Sequence, residues 1–224
     1  MRTSHLLLSL LFVVACDPRI EEPVPPGAGK GPAGPSATAQ APSSAPAASV
    51  ASPASASASG APSEARCIEP TPAEPERKVT LQGKFDPKCP PDPETPPKLR
   101  TGKVTFDAVA DRPVTVEIAE RGEARMRGLM YRKSMGDDAG MIFVFQGHKE
   151  EHTFWMKNTC IPLDMLFIDD DGTIVGIEEN TPTLTEETFS VGCKSRYVLE
   201  LNAGWTRKHG VKAGQKVKLD GIPG

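Results

Sequence analysis

Three groups of residues in this chain are of types that could do chemistry. Arg127, Asp164 and Glu200 are charges set in otherwise apolar stretches, and a charge inside a buried strand has to be paired or put to use. Two carboxylates and a base around a cleft would suit acid–base hydrolysis or group transfer. The plainer expectation is an internal ion pair, Arg127 with Asp164 or Glu200, that pins a short helix to a sheet. Trp155, Lys157 and Asn158 form the second group. Strand alternation sends Trp155 and Lys157 to one face and Met156 and Asn158 to the other. Exposed, the three would form a surface for a planar or anionic ligand or a protein partner. The expected role of Trp155 is nevertheless in the core, with the Lys157 stem at its edge.

The third group is the cysteines. There are five, Cys16, Cys67, Cys89, Cys160 and Cys193. Cys16 closes the sequence Val13-Val14-Ala15-Cys16, which follows a basic start at Arg2 and the apolar run Leu6 to Val14. This is a secretory signal ending in a lipobox, with cleavage before Cys16 and lipidation of that residue as the expectation. A run of nine residues falls far short of the roughly 20 needed to span a bilayer as a helix. The chain is therefore expected in the cell envelope, held to a bacterial membrane by its lipid. The remaining four cysteines are even in number, and an oxidising compartment would join them as two disulfides. Three pairings are open. The favoured one is Cys160 with Cys193 and Cys67 with Cys89, each closure contributing about 3 kcal/mol. A nucleophilic Cys160 with His152 as its base is the competing reading.

Metal and nucleic-acid chemistry have weaker support. Met126, Met130, Met135, Met141, Met156 and Met165, with His148 and His152, offer soft ligands of the kind that suit copper, but without a recognised spacing, so packing is expected. Asp169-Asp170-Asp171-Gly172 resembles the start of a calcium loop but runs straight into a strand, and reads as a hairpin turn. No phosphate loop, serine elbow or zinc-protease motif is present. From Lys98 onward, 18 Lys and Arg stand against 19 Asp and Glu, which argues against a nucleic-acid partner. No cofactor is expected.

The elements that would position these residues begin late in the chain. Residues 16–66 are the lipidated cysteine and a linker dominated by Ala, Ser, Pro and Gly, uncharged from Gly31 to Pro62. Such a composition buries too little apolar surface to offset chain entropy, and a flexible coil of that length spans roughly 40 Å. Residues 67–98 are a Pro-rich, charged margin. From about residue 99 the pattern becomes alternation with turn punctuation, which predicts strands over 103–109, 114–119, 140–145, 153–157, 163–168, 173–177, 196–201 and 216–219. The run at 140–145 is apolar enough to be buried on both faces. Short helices are expected over 120–129 and 204–209. The fold class is mainly β, a compact single-domain barrel or sandwich with two short helices behind a long disordered linker.

Four motifs in this region carry a resemblance: Arg127-Gly128-Leu129-Met130, Gly140-Met141-Ile142-Phe143, the segment Thr153 to Ile177, and Tyr197-Val198-Leu199-Glu200-Leu201-Asn202-Ala203-Gly204. In this order, over about Val114 to Leu219, they resemble the domain of unknown function 192 family. The resemblance implies a compact β-rich domain, often exported, with no established enzymatic activity. Cys160 stands where that family usually has an aliphatic residue. The expected function is a non-catalytic envelope module binding a protein, glycan or small ligand. An envelope hydrolase or transferase using Arg127, Asp164 and Glu200 is the alternative, and a copper-binding module a lesser one.

Overall fold

The structure, a computed structural model, describes residues 66–81 and 84–224. The signal segment, Cys16 and the linker up to residue 65 lie outside the described residues. Seven strands form one mixed sheet in the order β11 (Val217–Asp220), β1 (Thr101–Phe106), β2 (Val109–Ala119), β3 (Ala139–Val144), β10 (Tyr197–Asn202), β6 (Leu163–Ile168) and β7 (Ile174–Thr181). Thr173 bridges Lys216, and Ile174 N–H donates to Gln215 O at 2.9 Å. The two edge strands are thus tied together at one end, and the sheet curls into a barrel joined there. β2 and β3 run parallel, so the chain between them must cross over, and α1 (Gly122–Arg127) lies in that crossover. The other short helix, α2 (Trp205–Lys208), follows β10.

Because β3, β10 and β6 are covered on both sides, alternation divides their residues between two cores. Ile142, Val144, Leu166, Ile168, Leu199 and Trp205 belong to the barrel interior. Met141, Phe143, Met165, Phe167 and Val198 belong to a second core on the outer face. That outer core is covered by α1 and by a two-stranded ladder of β5 (Phe154–Trp155) with β8 (Thr188–Phe189). Phe154 meets Phe143 edge-on, ring centroids 4.9 Å apart. A second small ladder joins β4 (Glu150–Glu151) to β9 (Lys194–Ser195).

Most predicted strands are present with shifted ends. The region 110–113, expected as a loop, instead belongs to the long β2. Its register against β1 shifts there, Val104 opposing Val114 and Phe106 opposing Val109, which is where Pro113 can lack an N–H without breaking the ladder. β4, β8 and β9 were not expected, since two residues give no period. No helix among the described residues is long and apolar enough to cross a membrane.

The Pro-rich margin forms no strand among its described residues and docks on the barrel as a strap. Glu69 N–H donates to Val175 O and Asp86 N–H to Cys160 O, both at 2.7 Å, while Ala213 N–H reaches Thr71 Oγ1 at 2.9 Å. Arg77 pairs with Glu178 at 2.9 Å, and Arg207 donates to the carbonyls of Pro72 and Ala73. This docking corrects the expected disulfide pairing. The bonds are Cys67–Cys193 and Cys89–Cys160, with Cα separations of 5.6 and 5.3 Å. A local Cys67–Cys89 loop would require the margin to fold on itself. Extended along the barrel, it brings each of its cysteines to a different partner. Cys160, bonded in this way, is no free thiol.

Candidate functional site

The outer face holds a cleft of about 500 Å³ between α1, β5 and the sheet. Arg127, Gly128, Leu129 and Met130 line it where α1 ends. Phe143 and Phe145 contribute from β3 and the residue after it, Phe154 and Trp155 from β5, and Glu200 from β10. The local sequence explains the shape. Gly128 closes α1 with φ +48°, a conformation side chains rarely adopt, and a Cβ there would lie 3.3 Å from the Phe143 ring. Glycine therefore lets the end of α1 settle directly on the aromatic floor.

Glu200 is the polar residue of that floor and is 4% exposed. It lies midway along a row that crosses the sheet: Glu117 opposes Met141, Met141 opposes Glu200, Glu200 opposes Met165, and Met165 opposes Glu178. Carboxylates and thioethers alternate along it. Glu117 receives both guanidinium nitrogens of Arg132 at 2.6 Å, and Glu178 receives Arg77 of the strap. Between them, Glu200 accepts no hydrogen bond from a described residue. Burial pushes its carboxyl up to about 8, and the positive charge of Arg132 only partly opposes this. At neutral pH the floor of the cleft is a neutral carboxylic acid.

The cationic side chains around the cleft are engaged elsewhere. Arg125 donates to the carbonyls of Glu120 and Val144 and lies 5.2 Å over the Phe145 ring. Arg127 pairs with Asp92 of the strap and lies 4.6 Å over Tyr131. His152 is stacked on Phe145 at 3.6 Å, with its Nε2 3.2 Å from Ser195 O, and burial pushes its pKa down, favouring the uncharged ring. Two large apolar side chains stand exposed at the rim, Met126 at 65% and Trp155 at 41%.

Residues 104–219, just over half of the chain, match the family DUF192, described as "Uncharacterized ACR". The chain belongs to the DUF192 family. No curated protein matches it. Among solved structures it is similar to a Sinorhizobium meliloti protein named as a proposed transcription regulator, with 39% identity and a TM-score of 0.52, covering 55% of this chain and 96% of that one. It is also similar to a protein of unknown function from Novosphingobium aromaticivorans, 31% identical, covering 57% of this chain and 89% of that one, with a TM-score of 0.49.

The DUF192 domain separates the residues that its sequence grouped as an acting set. Arg127 and Glu200 line the cleft, but Asp164 points to the other face of the sheet. There it accepts hydrogen bonds from Asn180 N, Gly204 N, Thr206 N and Thr206 Oγ1 at 2.7–3.0 Å, joining β6 to β7 and to the start of α2. Burial pushes the Asp164 pKa up, and those four donors oppose it. The expected ion pair of Arg127 with Asp164 or Glu200 is replaced by Arg127–Asp92, because the strap reaches the guanidinium from outside.

Of Trp155, Lys157 and Asn158, only Trp155 lines the cleft. Its exposure corrects the expected core role. Among the described residues β5 pairs with β8 alone and its outer side is left open, and the core tryptophan of the barrel is Trp205, 5.0 Å from Phe106. Lys157 lies 5.4 Å over the Trp155 ring and pairs with Glu186 at 2.9 Å. Asn158 donates to Tyr131 Oη at 2.9 Å, supporting the ring beneath Arg127.

The methionines are dispersed. Met126 and Met130 line the cleft, Met141, Met156 and Met165 are packed in the outer core, and Met135 lines a different cavity. The carboxylates of Asp169, Asp170 and Asp171 lie within 4.8 Å of one another, but Arg66, Lys149 and Lys216 already pair with them. Burial works against ionisation of Asp171, yet donors from Thr173, Lys216 and Arg66 hold its pKa well below the usual carboxylate range. The sequence motif for a calcium loop is a turn neutralised by the protein's own cations. What the sequence reading missed were the aromatic walls Phe143, Phe145 and Phe154, and the Glu117–Arg132 pair. The signal for the walls was the density of Phe in 143–154, and no local pattern pointed to the Glu117–Arg132 pair.

Proposed function

We propose that this protein is an envelope lipoprotein, anchored through Cys16, whose DUF192 domain binds a small ligand in the outer cleft without transforming it. The observation that carries this reading is an aromatic cleft floored by a buried carboxyl that has no hydrogen-bond partner among the described residues. A cavity of about 500 Å³ is within the range that small-molecule sites occupy, and one placed polar group in an apolar pocket is how such sites orient a ligand. Each of the four motifs that carry the family resemblance contributes to the lining: Arg127 to Met130, Phe143, Thr153 to Trp155, and Glu200. Catalysis by the Arg127, Asp164 and Glu200 trio has no geometric support, since the sheet separates the two acids. The two disulfides fit an oxidising compartment outside the cytoplasm. The transcription role in the Sinorhizobium protein's name is not carried over, because this domain has no excess of basic residues.

Two experiments test the reading. Fractionation of cells expressing the full chain should place it with membranes, and Cys16→Ala should release it; soluble wild-type protein would overturn the anchor. For the cleft, titration of the full chain with small aromatic amphiphiles should change the fluorescence of Trp155 at the rim. Thr188→Trp sets an indole at an exposed position on the cleft wall, and ligand-dependent protection against thermal unfolding should disappear in that variant. Protection that persists would move the site elsewhere.

A further inference from the structure

We infer that the cleft selects a small organic cation, an ammonium or guanidinium on an apolar stem, whose charged nitrogen meets Glu200 between Met141 and Met165. This rests on the proposed binding role of the cleft and names the class of its ligand. The argument comes from the row of acids. Three carboxylates lie on one line across the outer face, and the two flanking ones are each answered by a guanidinium, Glu117 by Arg132 and Glu178 by Arg77. The central one has no such partner among the described residues and opens on the cleft instead. A buried carboxyl without a donor is unfavourable unless something pairs with it. The protein's own cations nearby are committed: Arg125 to two carbonyls, Arg127 to Asp92, and Arg132 to Glu117. His152 is engaged with Ser195 O and stacked on Phe145. A positive group supplied by the ligand would complete the row.

The walls agree with that charge. Phe143, Phe154 and Trp155 line the cleft with Glu200, while the Phe145 ring is already taken by His152 and Arg125, and aromatic faces attract cations through the ring quadrupole. They already do so here, where Arg125 sits over Phe145, Lys157 over Trp155 and Arg127 over Tyr131. The outward-facing Met126 and Trp155 are placed to cover the apolar stem. Pairing would displace the proton that Glu200 holds at neutral pH, so binding should release about one proton and tighten as pH rises.

The test compares three probes of similar size on the full chain: 2-phenylethylamine, 2-phenylethanol and 3-phenylpropanoate, each titrated at pH 6, 7 and 8. The expected result is amine binding at least tenfold tighter than the alcohol at pH 8, with affinity gaining up to about tenfold per pH unit below 8. The released proton should appear as a dependence of binding heat on buffer ionisation enthalpy. Glu200→Gln should remove both the preference for the amine and the pH slope. Equal or tighter binding of the alcohol or the carboxylate, or an amine preference that survives Glu200→Gln, would overturn the ligand class while leaving the cleft a binding site. If none of the three binds, the binding role itself falls.

Discussion

Glu200→Gln should make the domain more stable, and only above mildly acidic pH. Glutamine keeps the size of the side chain and its hydrogen-bonding capacity but cannot ionise. In the unfolded chain Glu200 loses its proton near its ordinary value of 4.5, whereas in the folded protein it holds the proton up to about 8. Between those values the native state binds the extra proton, so the stability it contributes is present below 4.5 and is lost as pH rises toward 8. At about 1.4 kcal/mol per tenfold change, the whole window corresponds to at most about 5 kcal/mol. Urea unfolding of the wild type and the variant, disulfides intact, at each pH from 5 to 9 would measure it. The two stability curves should diverge by up to about 1.4 kcal/mol per pH unit through the window and run parallel above 8. Curves that stay parallel from pH 5 to 9 would mean that Glu200 is solvated or partnered, and the description of the cleft floor would be wrong.

Arg132→Met should move that loss to higher pH, because Arg132 is the cation that holds the Glu200 carboxyl down; an unmoved midpoint in the same titration would contradict the role assigned to it. Asp164→Ala should cost about 3–5 kcal/mol, since four donors lose a buried acceptor. A change below about 1 kcal/mol in urea unfolding would remove Asp164 as the junction of β6, β7 and α2. Peptide mapping without reduction should recover Cys67 linked to Cys193 and Cys89 linked to Cys160, and a Cys89→Ser/Cys160→Ser double variant should lose about 4 kcal/mol on the loop-entropy scale for a separation of 71 residues. Recovery of a Cys67–Cys89 peptide would contradict the docked strap.

The strands were legible wherever one face differed from the other or the run was uniformly apolar, as in β3 and β6. The hairpin turn at Gly172 was read for the same local reason: φ there is +82°, as a turn glycine allows. The cleft was only half visible. Its charged and aromatic residues, Arg127, Glu200 and Trp155, stood out by type, but β6 and β10 are buried on both sides, so alternation could not tell which side of the sheet Asp164 and Glu200 each take. Opposite faces make one acid a structural junction and leave the other open to the cleft. Arg127 found its partner in Asp92, 35 residues earlier in a segment without periodicity, and no local pattern announces a contact of that kind. The disulfides were misassigned for a related reason. Sequence proximity favoured Cys67 with Cys89, while backbone groups of the margin bonded along the barrel and carried the two cysteines apart.

The Cys67–Cys193 bond has a mechanical consequence. It sits one residue beyond Arg66, where the described domain begins, so any tension arriving along the preceding polypeptide would pass through a covalent link into the loop before β9, which packs in the outer core. The ion pairs of Arg66 with Asp169 and Asp171 would yield first, and the load would then bypass every hydrogen bond of the strap. If the proposed anchor at Cys16 holds, a pull on the domain would not peel the strap from its seat, and Asp92 would keep its hold on Arg127 beside the cleft.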